Sequence, residues 1–239
     1  MDLSERQQQL LKAIIETYVT NGEPVASENI EKNYDLGVSP ATLRNEMVKL
    51  TDGGFLKQPH TSAGRIPTSV GFRFYIANLM NEKELPIVDE VTIRQNMLDH
   101  KSQFNRVVKE ATRALSKKCN TLAMSINDGE IFYTGAASIL DFPEFDEIDT
   151  ARFVLSLFDE PALLLQILQK AHGNEALHII FGEETGYDYL LPTSFAFLNY
   201  NVGEVHEGMI GVIGPNRLNF PLIIPYLKYV GKILTEAGR

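Results

Sequence analysis

The sequence predicts an α+β fold with a helical N-terminal part, a long connecting helix and a C-terminal part that mixes strands and helices. Three observations lead to this prediction. Apolar residues recur at helical spacing near both ends of the chain. A short strand and a polar loop, residues 59–68, interrupt the N-terminal helices. The tripeptide Asn-Asp-Gly at 127–129 separates two apolar runs and supplies the positive φ angles of a tight hairpin turn.

Three helices are predicted first, each begun by a serine. Ser4 caps a helix over residues 4–20, and Ser27 begins a short second helix. Ser39 caps the third helix, which starts at Pro40 and continues to about residue 52. A proline at the first helical position suits a helix start, because the N–H that it lacks would be unpaired there. The apolar stripe of the first helix is Leu11, Ile14, Ile15, Tyr18 and Val19.

A strand and a loop follow the third helix. Two glycines end that helix, and residues 53–58, with the sequence GGFLKQ, open a short strand. The loop has the sequence PHTSAGRIPT, which contains few apolar side chains to bury, and Thr68 caps a fourth helix. This order of elements is typical of a winged helix-turn-helix domain, which we predict for residues 1–80.

The remaining chain is predicted in two segments. Residues 81–120 form a polar linker and then a long helix from Val91 to Lys118, which could pack on its own domain or act as a dimerisation element against a partner chain. Residues 121–239 form an α+β domain that contains the Asn-Asp-Gly hairpin, two helices, three further strands and a C-terminal helix.

The composition is that of a globular protein from a reducing compartment. Hydrophobic residues make up 44% of the 239 residues, and the single cysteine, Cys119, cannot form an internal disulfide. No apolar run approaches the roughly 18 residues of a membrane span, and the N-terminus has no export pattern. We therefore expect a cytoplasmic protein that does not engage a membrane.

Charge is distributed unevenly along the chain. The formal net charge of -9 argues against nucleic-acid binding, because phosphate contacts need Lys and Arg side chains. Residues 121–239, however, hold 16 acidic and only 6 basic side chains, whereas residues 43–75 hold five basic and two acidic side chains. The third helix and the loop are therefore locally cationic, and nucleic acid remains a candidate ligand.

The third helix is predicted to have a polar face opposite a buried one. At about 100° per residue, Leu43, Met47 and Leu50 fall on one side and are expected to face the domain core. The opposite face consists of Ala41, Thr42, Arg44, Asn45, Val48 and Lys49. Arginine can bind guanine bidentately and asparagine can bind adenine, so this face suits the major groove of DNA. The alternative is an ordinary solvated helix face, and composition alone does not distinguish the two.

The loop favours the DNA interpretation. A wing that approaches a DNA backbone or minor groove needs small residues, hydroxyl groups and a cation. Thr61, Ser62, Gly64 and Arg65 supply these groups, and His60 lies beside them. The alternative is an ordinary surface hairpin loop. Loop and helix together predict a DNA-binding surface.

No catalytic, metal or cofactor site is predicted. The five histidines are scattered and lack a second ligand at a metal-binding spacing. Cys119 follows Lys117 and Lys118, which could lower the pKa of its thiol, but no histidine and acid partners are identifiable. The stretch GMIGVIGP has neither the GxGxxG spacing nor the lysine of a phosphate-binding loop. We therefore expect a protein that is not an enzyme and holds no cofactor.

Several segments carry a family resemblance. YDLGVSPATLRNEMVKL and GFLKQPHTSAGRIPTSVGFRFYIANLM resemble the N-terminal domain of the HrcA family of heat-inducible transcription repressors, over about the first 80 residues. YTGAASILDFPEF and GMIGVIGPNRLNFPLIIPYLKYVGKIL resemble C-terminal regions of the same family. Full-length members carry a large block before the first of these two regions, which this chain lacks. This chain is therefore identified as a shortened member of the HrcA family with a truncated GAF-like domain.

The resemblance implies a repressor of chaperone genes that binds double-stranded DNA at an inverted-repeat operator. It also implies that the GAF-like domain controls dimerisation and the heat response, with the GroE chaperonin as a partner. An inverted repeat is read by a two-fold symmetric homodimer, with one winged helix on each half-site. The residues that would face the operator are Ser39, Thr42, Arg44, Asn45, Lys49, His60, Thr61, Ser62 and Arg65.

Two functional hypotheses follow. For the repressor, we expect Arg44→Ala and Arg65→Ala to abolish operator binding with a nearly unchanged melting temperature. In the other, the chain is a ligand-sensing regulator whose GAF-like domain binds a small molecule. That hypothesis requires an apolar pocket with a few convergent polar groups.

Overall fold

The chain contains both helices and strands, and its described sheets are antiparallel, which confirms the predicted α+β class. The computed structural model describes residues 3–61, 63–99, 103–171, 176–202 and 206–237. The chain divides into two compact units, unit 1 (Met1–Asn81) and unit 2 (Glu82–Arg239). Within the described ranges, no helix combines the length and the apolar character needed to cross a membrane.

The described residues of unit 1 form four α-helices and a two-stranded antiparallel sheet. These elements are α1 (Glu5–Asn21), α2 (Ser27–Asn33), α3 (Pro40–Asp52), β1 (Leu56–Lys57), β2 (Ile66–Pro67) and α4 (Ser69–Phe74). The predicted caps are confirmed, since the side chains of Ser4, Ser39 and Thr68 each accept a hydrogen bond from a backbone N–H of the first turn. Local capping chemistry therefore fixes where α1, α3 and α4 begin.

The core of unit 1 buries one side of α1 and one side of α3. The buried apolar residues of α1 include Leu10, Leu11, Ile14 and Ile15. On α3, Leu43, Met47 and Leu50 are at most 4% exposed, as the helical periodicity predicts. Burying this stripe leaves the opposite side of α3 to solvent. The core thus determines which side chains of α3 can meet a ligand.

Unit 2 is built around a five-stranded antiparallel sheet with the strand order β4-β3-β7-β6-β5. Its elements are α5 (Ile87–Leu98), α6 (Phe104–Cys119), β3 (Leu122–Asn127), β4 (Glu130–Thr134), α7 (Ile148–Ser156), α8 (Pro161–Leu168), β5 (Leu177–Phe181), α9 (Gly182–Thr185), β6 (Thr193–Val202), β7 (His206–Pro215) and α10 (Phe220–Ala237). The predicted hairpin is confirmed, because Asp128 and Gly129 form its turn with φ angles of 49° and 82°.

The two faces of this sheet carry separate layers. Leu122, Met124 and Ile126 of β3 join a buried cluster with residues of α7 and α8. The intervening Ser125 points the other way and accepts a hydrogen bond of 2.9 Å from Thr112 of α6. A strand that alternates in this way is buried on both faces, which explains why every residue of β3 is buried.

The prediction of one continuous helix from Val91 to Lys118 was wrong. The structure has two helices instead, because α5 ends at Leu98 and α6 begins at Phe104. Gln103, just before α6, has φ -137° and ψ 85°, which lie outside the helical region and which a continuous helix cannot contain. The six buried residues of α6 are Val107, Val108, Ala111, Thr112, Leu115 and Ser116. As a whole, α6 packs against α5, α10 and the sheet, so it folds onto its own unit.

Candidate nucleic-acid interface

The polar side of α3 is exposed as the periodicity predicts. The α3 face consists of Ala41, Thr42, Arg44, Asn45, Val48 and Lys49. Arg44, Asn45 and Lys49 are exposed, and Thr42 is half-buried. Val48, an apolar residue at the centre of this face, is 41% exposed. An exposed valine beside an arginine and an asparagine suits contact with a thymine methyl group.

The start of the α3 face is held by its cap. Ser39 Oγ accepts a hydrogen bond of 3.3 Å from the Thr42 backbone N–H and lies 3.1 Å from Thr42 Oγ1. The two hydroxyl groups are therefore engaged with one another at the first turn of the helix. Both oxygens lie at a helix N-terminus, where the backbone dipoles favour an anion such as phosphate.

The loop after β1 is braced by a side chain that sequence reasoning missed. The amide Nε2 of Gln58 donates hydrogen bonds to the backbone oxygens of Thr61, at 3.0 Å, and Ala63, at 2.9 Å. One side chain thus holds both sides of the loop tip. The signal available in the sequence was a glutamine at the end of the strand, directly before a loop of small residues. His60 and Thr61 are exposed in this loop, and Ser62 lies outside the described residues.

The far end of the loop is joined to the segment between α1 and α2. Val25 and Arg65 form an antiparallel bridge with two backbone hydrogen bonds of 2.9 Å each. At Gly64 a Cβ atom would lie only 2.4 Å from the carbonyl oxygen of Val25. Only glycine allows the two backbones to approach this closely. The glycine therefore keeps the loop against unit 1.

Arg65, which the sequence analysis expects to face the operator, is half-buried at the base of the loop. Its Nε donates a hydrogen bond of 3.0 Å to Thr51 Oγ1, near the end of α3. Thr51 in turn donates to the Met47 backbone oxygen at 2.8 Å. Arg65 therefore joins the loop to α3, and the residue also lines the cleft described below.

This contact changes the stability expected of Arg65→Ala. We expect the variant to lose about 1–2 kcal/mol of unfolding free energy, the scale of a partly buried hydrogen bond from a charged donor. Urea denaturation followed by circular dichroism measures it, with Arg44→Ala as the exposed arginine control. An unfolding free energy equal to that of the wild type would show that the Thr51 contact contributes nothing.

A cleft of about 520 Å³ separates the loop from the helices of unit 1. Its lining includes Glu28, Arg44 and Val48 on one side and Gln58, Thr61, Ala63, Gly64 and Arg65 on the other. Three of the predicted site residues, Arg44, Thr61 and Arg65, are thereby brought together.

Glu28, at the edge of this cleft, has a pKa below its ordinary value. The causes are a hydrogen bond from its own backbone N–H, another from Ser27 and the charge of Arg44.

Lys49 lies at the other edge of the α3 face and is paired. Its Nζ is 2.8 Å from Glu46 Oε1, and Gln7 Nε2 of α1 donates to Glu46 Oε2 at 3.1 Å. The Lys49 hydrogen bond, and then that of Gln7, hold the pKa of the Glu46 carboxyl below its ordinary value. On α3, Arg44 therefore lies on the side near the loop, and Lys49 lies on the side near α1.

Among the residues that the structure describes, those considered for other chemistry are not gathered into a metal site. In the part of the chain that the structure describes, no three His, Cys, Asp or Glu side chains are placed to share a metal ion. Burial raises the pKa of the Cys119 thiol to about 12, which overturns the expectation that Lys117 and Lys118 could lower it. The thiol is therefore protonated near neutral pH, and a protonated thiol is a poor nucleophile.

Comparison with known proteins points to one family along almost the whole chain. Residues 72–224 match the family described as "HrcA protein C terminal domain". The heat-inducible transcription repressor HrcA of Desulforamulus reducens is 26% identical over 337 aligned positions, covering 99% of this chain and 97% of that protein. The HrcA repressor of Syntrophobacter fumaroxidans is 27% identical, with coverage of 98% and 97%. Since 337 positions exceed the 239 residues of this chain, the first relative contains residues without a counterpart here.

A solved structure shares the fold. A crystal structure described as that of a hypothetical protein superimposes with a TM-score of 0.78, covering 99% of this chain and 98% of the other. The two sequences are 18% identical. The arrangement of helices and strands is therefore one that an experimental structure also contains.

Proposed function

Because the chain belongs to the HrcA family, we propose that it is a heat-inducible transcription repressor that binds double-stranded DNA through unit 1. A repressor acts by occupying its operator, so the proposal assigns the chain no reaction. The observation that carries the proposal is the α3 face with a loop held beside it, separated from it by a cleft lined by Arg44 and Arg65. DNA-binding helices of this kind lie in the major groove while neighbouring segments contact the backbone.

Unit 1 acts as a winged helix-turn-helix domain in this proposal. The order of α1, α2, α3 and the β1–β2 pair supports it, because α2 and α3 then form the helix-turn-helix and the loop forms the wing. The isolated bridge between Val25 and Arg65 also supports it, since it anchors the wing to the segment between α1 and α2. The recognition helix is α3, whose exposed side is cationic and amide-bearing.

The site residues divide into two roles in this proposal. Arg44 and Asn45 contact base edges, since guanidinium and amide groups make bidentate pairs with guanine and adenine. Phosphate and sugar contacts come from the remaining residues, which are Ser39, Thr42, Lys49, His60, Thr61, Ser62 and Arg65. Contacts of the first kind set the operator sequence, whereas contacts of the second kind set affinity and register.

Unit 2 sets the geometry and the temperature response of the repressor in this proposal. Its residues 121–239 form a GAF-like α+β domain, and residues 81–120 supply α5 and α6, which connect it to the DNA-binding part and could contribute to dimerisation. Two copies of the chain hold two winged helices on the two halves of an inverted repeat. The GroE chaperonin would promote the folded form of unit 2, and with it the DNA-binding form of the repressor.

Selection of DNA by the protein itself tests this function. We expect the full chain to enrich an inverted repeat from a random duplex library, and native mass measurement to find two copies on that duplex. A scrambled duplex of the same composition is the control and should bind at least about a thousandfold more weakly. Failure to enrich any sequence would contradict sequence-specific binding, and one copy on an inverted repeat would contradict the two-fold arrangement.

A further inference from the structure

A chain of hydrogen bonds connects the start of α1 to the α1 side of the α3 face. The Ser4 backbone N–H donates to Gln7 Oε1 at 3.0 Å, while Ser4 Oγ accepts from the Gln7 backbone N–H. The other end of the same amide donates to Glu46 Oε2, and Glu46 Oε1 accepts from Lys49. Both carboxylate oxygens of Glu46 are therefore engaged, one by α1 and one by the lysine.

Burial distinguishes this pair from an ordinary surface ion pair. The Glu46 side chain is only 12% exposed, whereas that of Lys49 is 61% exposed. The pair between Lys12 and Glu16 on α1 is looser, with its charged atoms 4.0 Å apart and the glutamate 39% exposed. A carboxylate that is already fixed by its surroundings can orient an exposed lysine. The pair then loses the conformational entropy of the lysine side chain alone, instead of that of two mobile side chains.

A carboxylate is an unexpected neighbour for a DNA-binding helix, because it repels phosphate. Arg6 also lies close enough for its charge to act on Glu46, so the carboxylate sits among cations at the edge of the α3 face. Removing a negative charge there would raise the affinity for any DNA. The presence of Glu46 at this edge therefore indicates a role in discriminating the operator from DNA of other sequence.

We propose that Glu46, clamped by Gln7, is a positioning residue that holds Lys49 for one operator phosphate and weakens binding to DNA of other sequence. The role rests on the proposed function of unit 1. A lysine fixed in this way meets a phosphate only when the helix lies in its operator register. A freely rotating lysine would instead find a phosphate in any register, and would add to non-specific affinity.

Gln7→Ala tests positioning without changing the charge of the protein. Its control is Ser4→Ala, which removes the other half of the same helix cap but leaves the Gln7 amide on Glu46. Affinities are measured for the full chain on the selected inverted repeat and on its scrambled counterpart. We expect Gln7→Ala to reduce the ratio of the two affinities by about threefold, the scale of one exposed ion pair, and Ser4→Ala to leave it unchanged.

Glu46→Gln tests the carboxylate, with Glu16→Gln as the control that removes the same charge from another lysine pair of unit 1. We expect Glu46→Gln to raise affinity for the scrambled duplex and to steepen the salt dependence by about one phosphate contact per half-site. The double variant with Lys49→Ala should lose this increase in affinity for the scrambled duplex, because the increase comes from the lysine that Glu46→Gln releases.

The outcomes separate this role from the function it rests on. An unchanged affinity ratio in Gln7→Ala, or equal effects of Glu46→Gln and Glu16→Gln, overturns the positioning role while leaving DNA binding intact. Persistence of the increase in the double variant also overturns it. A wild-type chain that does not distinguish the two duplexes overturns the proposed function and this role together.

Discussion

Replacing Arg44 with alanine is expected to abolish retardation of the selected inverted-repeat duplex in a gel shift, with the free energy of unfolding unchanged. Arg44 is exposed on the α3 face and lines the cleft beside the wing. A bidentate arginine–guanine pair contributes about 1–3 kcal/mol, and a two-fold dimer loses it twice. Affinity should therefore fall by about a hundredfold or more. Because Arg44 is an exposed residue, truncation should change stability by less than about 0.5 kcal/mol.

Arg73→Ala is the matched control, since Arg73 is an exposed arginine of α4 in the same unit. It removes the same charge, so a general electrostatic effect would weaken both variants alike. A second measurement separates base contact from phosphate contact. If Arg44 reads a base, Arg44→Ala loses more affinity for the operator than for scrambled DNA. Equal losses on both duplexes would assign Arg44 to the backbone, and wild-type retardation would remove it from the interface.

The fold of unit 1 was predictable where it depends on local chemistry. The three caps follow from single hydroxyl side chains, and the buried side of α3 follows from the spacing of Leu43, Met47 and Leu50. The end of α5 was missed because the residues from Val91 to Lys118 keep a helical apolar pattern across the interruption. Periodicity reports which side of a segment is buried, and it does not report whether the segment bends back on itself.

The exposure of the candidate residues on α3 was predictable from the sequence, but their contacts were not. Arg44, Asn45 and Lys49 are exposed as expected from a helical wheel. The contact between Arg65 and Thr51 joins residues 14 positions apart, and that between Gln7 and Glu46 joins residues 39 apart. Such pairs depend on how α1, α3 and the wing pack, which no local pattern encodes. Only the structure therefore shows that the two cations differ. Arg65 joins the loop to α3, whereas Lys49 is held by Glu46.

Gly182→Ala is expected to lower the temperature at which the repressor releases DNA, through unit 2 alone. Gly182 is buried at the start of α9, where an added Cβ would lie 1.6 Å from the backbone oxygen of Leu190. Two backbone segments must therefore separate, which costs roughly 2–4 kcal/mol. At about 2–4 °C per kcal/mol, the unfolding temperature of unit 2 falls by about 10 °C. Hydrogen exchange of the β5 and β6 amides measures this locally.

Gly129→Ala is the comparison variant, because it changes the same residue type in the β3–β4 turn without a steric conflict. No atom lies within 4 Å of its Cβ position, so only the φ angle of +82° opposes alanine, at a cost of about 1–2 kcal/mol. If unfolding of unit 2 is the heat response, the temperature of operator release should fall in both variants in proportion to the unfolding temperature. The contrary outcome is a Gly182→Ala protein that still releases the operator only at the wild-type temperature, although its unit 2 has already unfolded. That result would show that unfolding of unit 2 is not the heat response. At low temperature both variants should bind the operator like the wild type, since neither glycine belongs to unit 1.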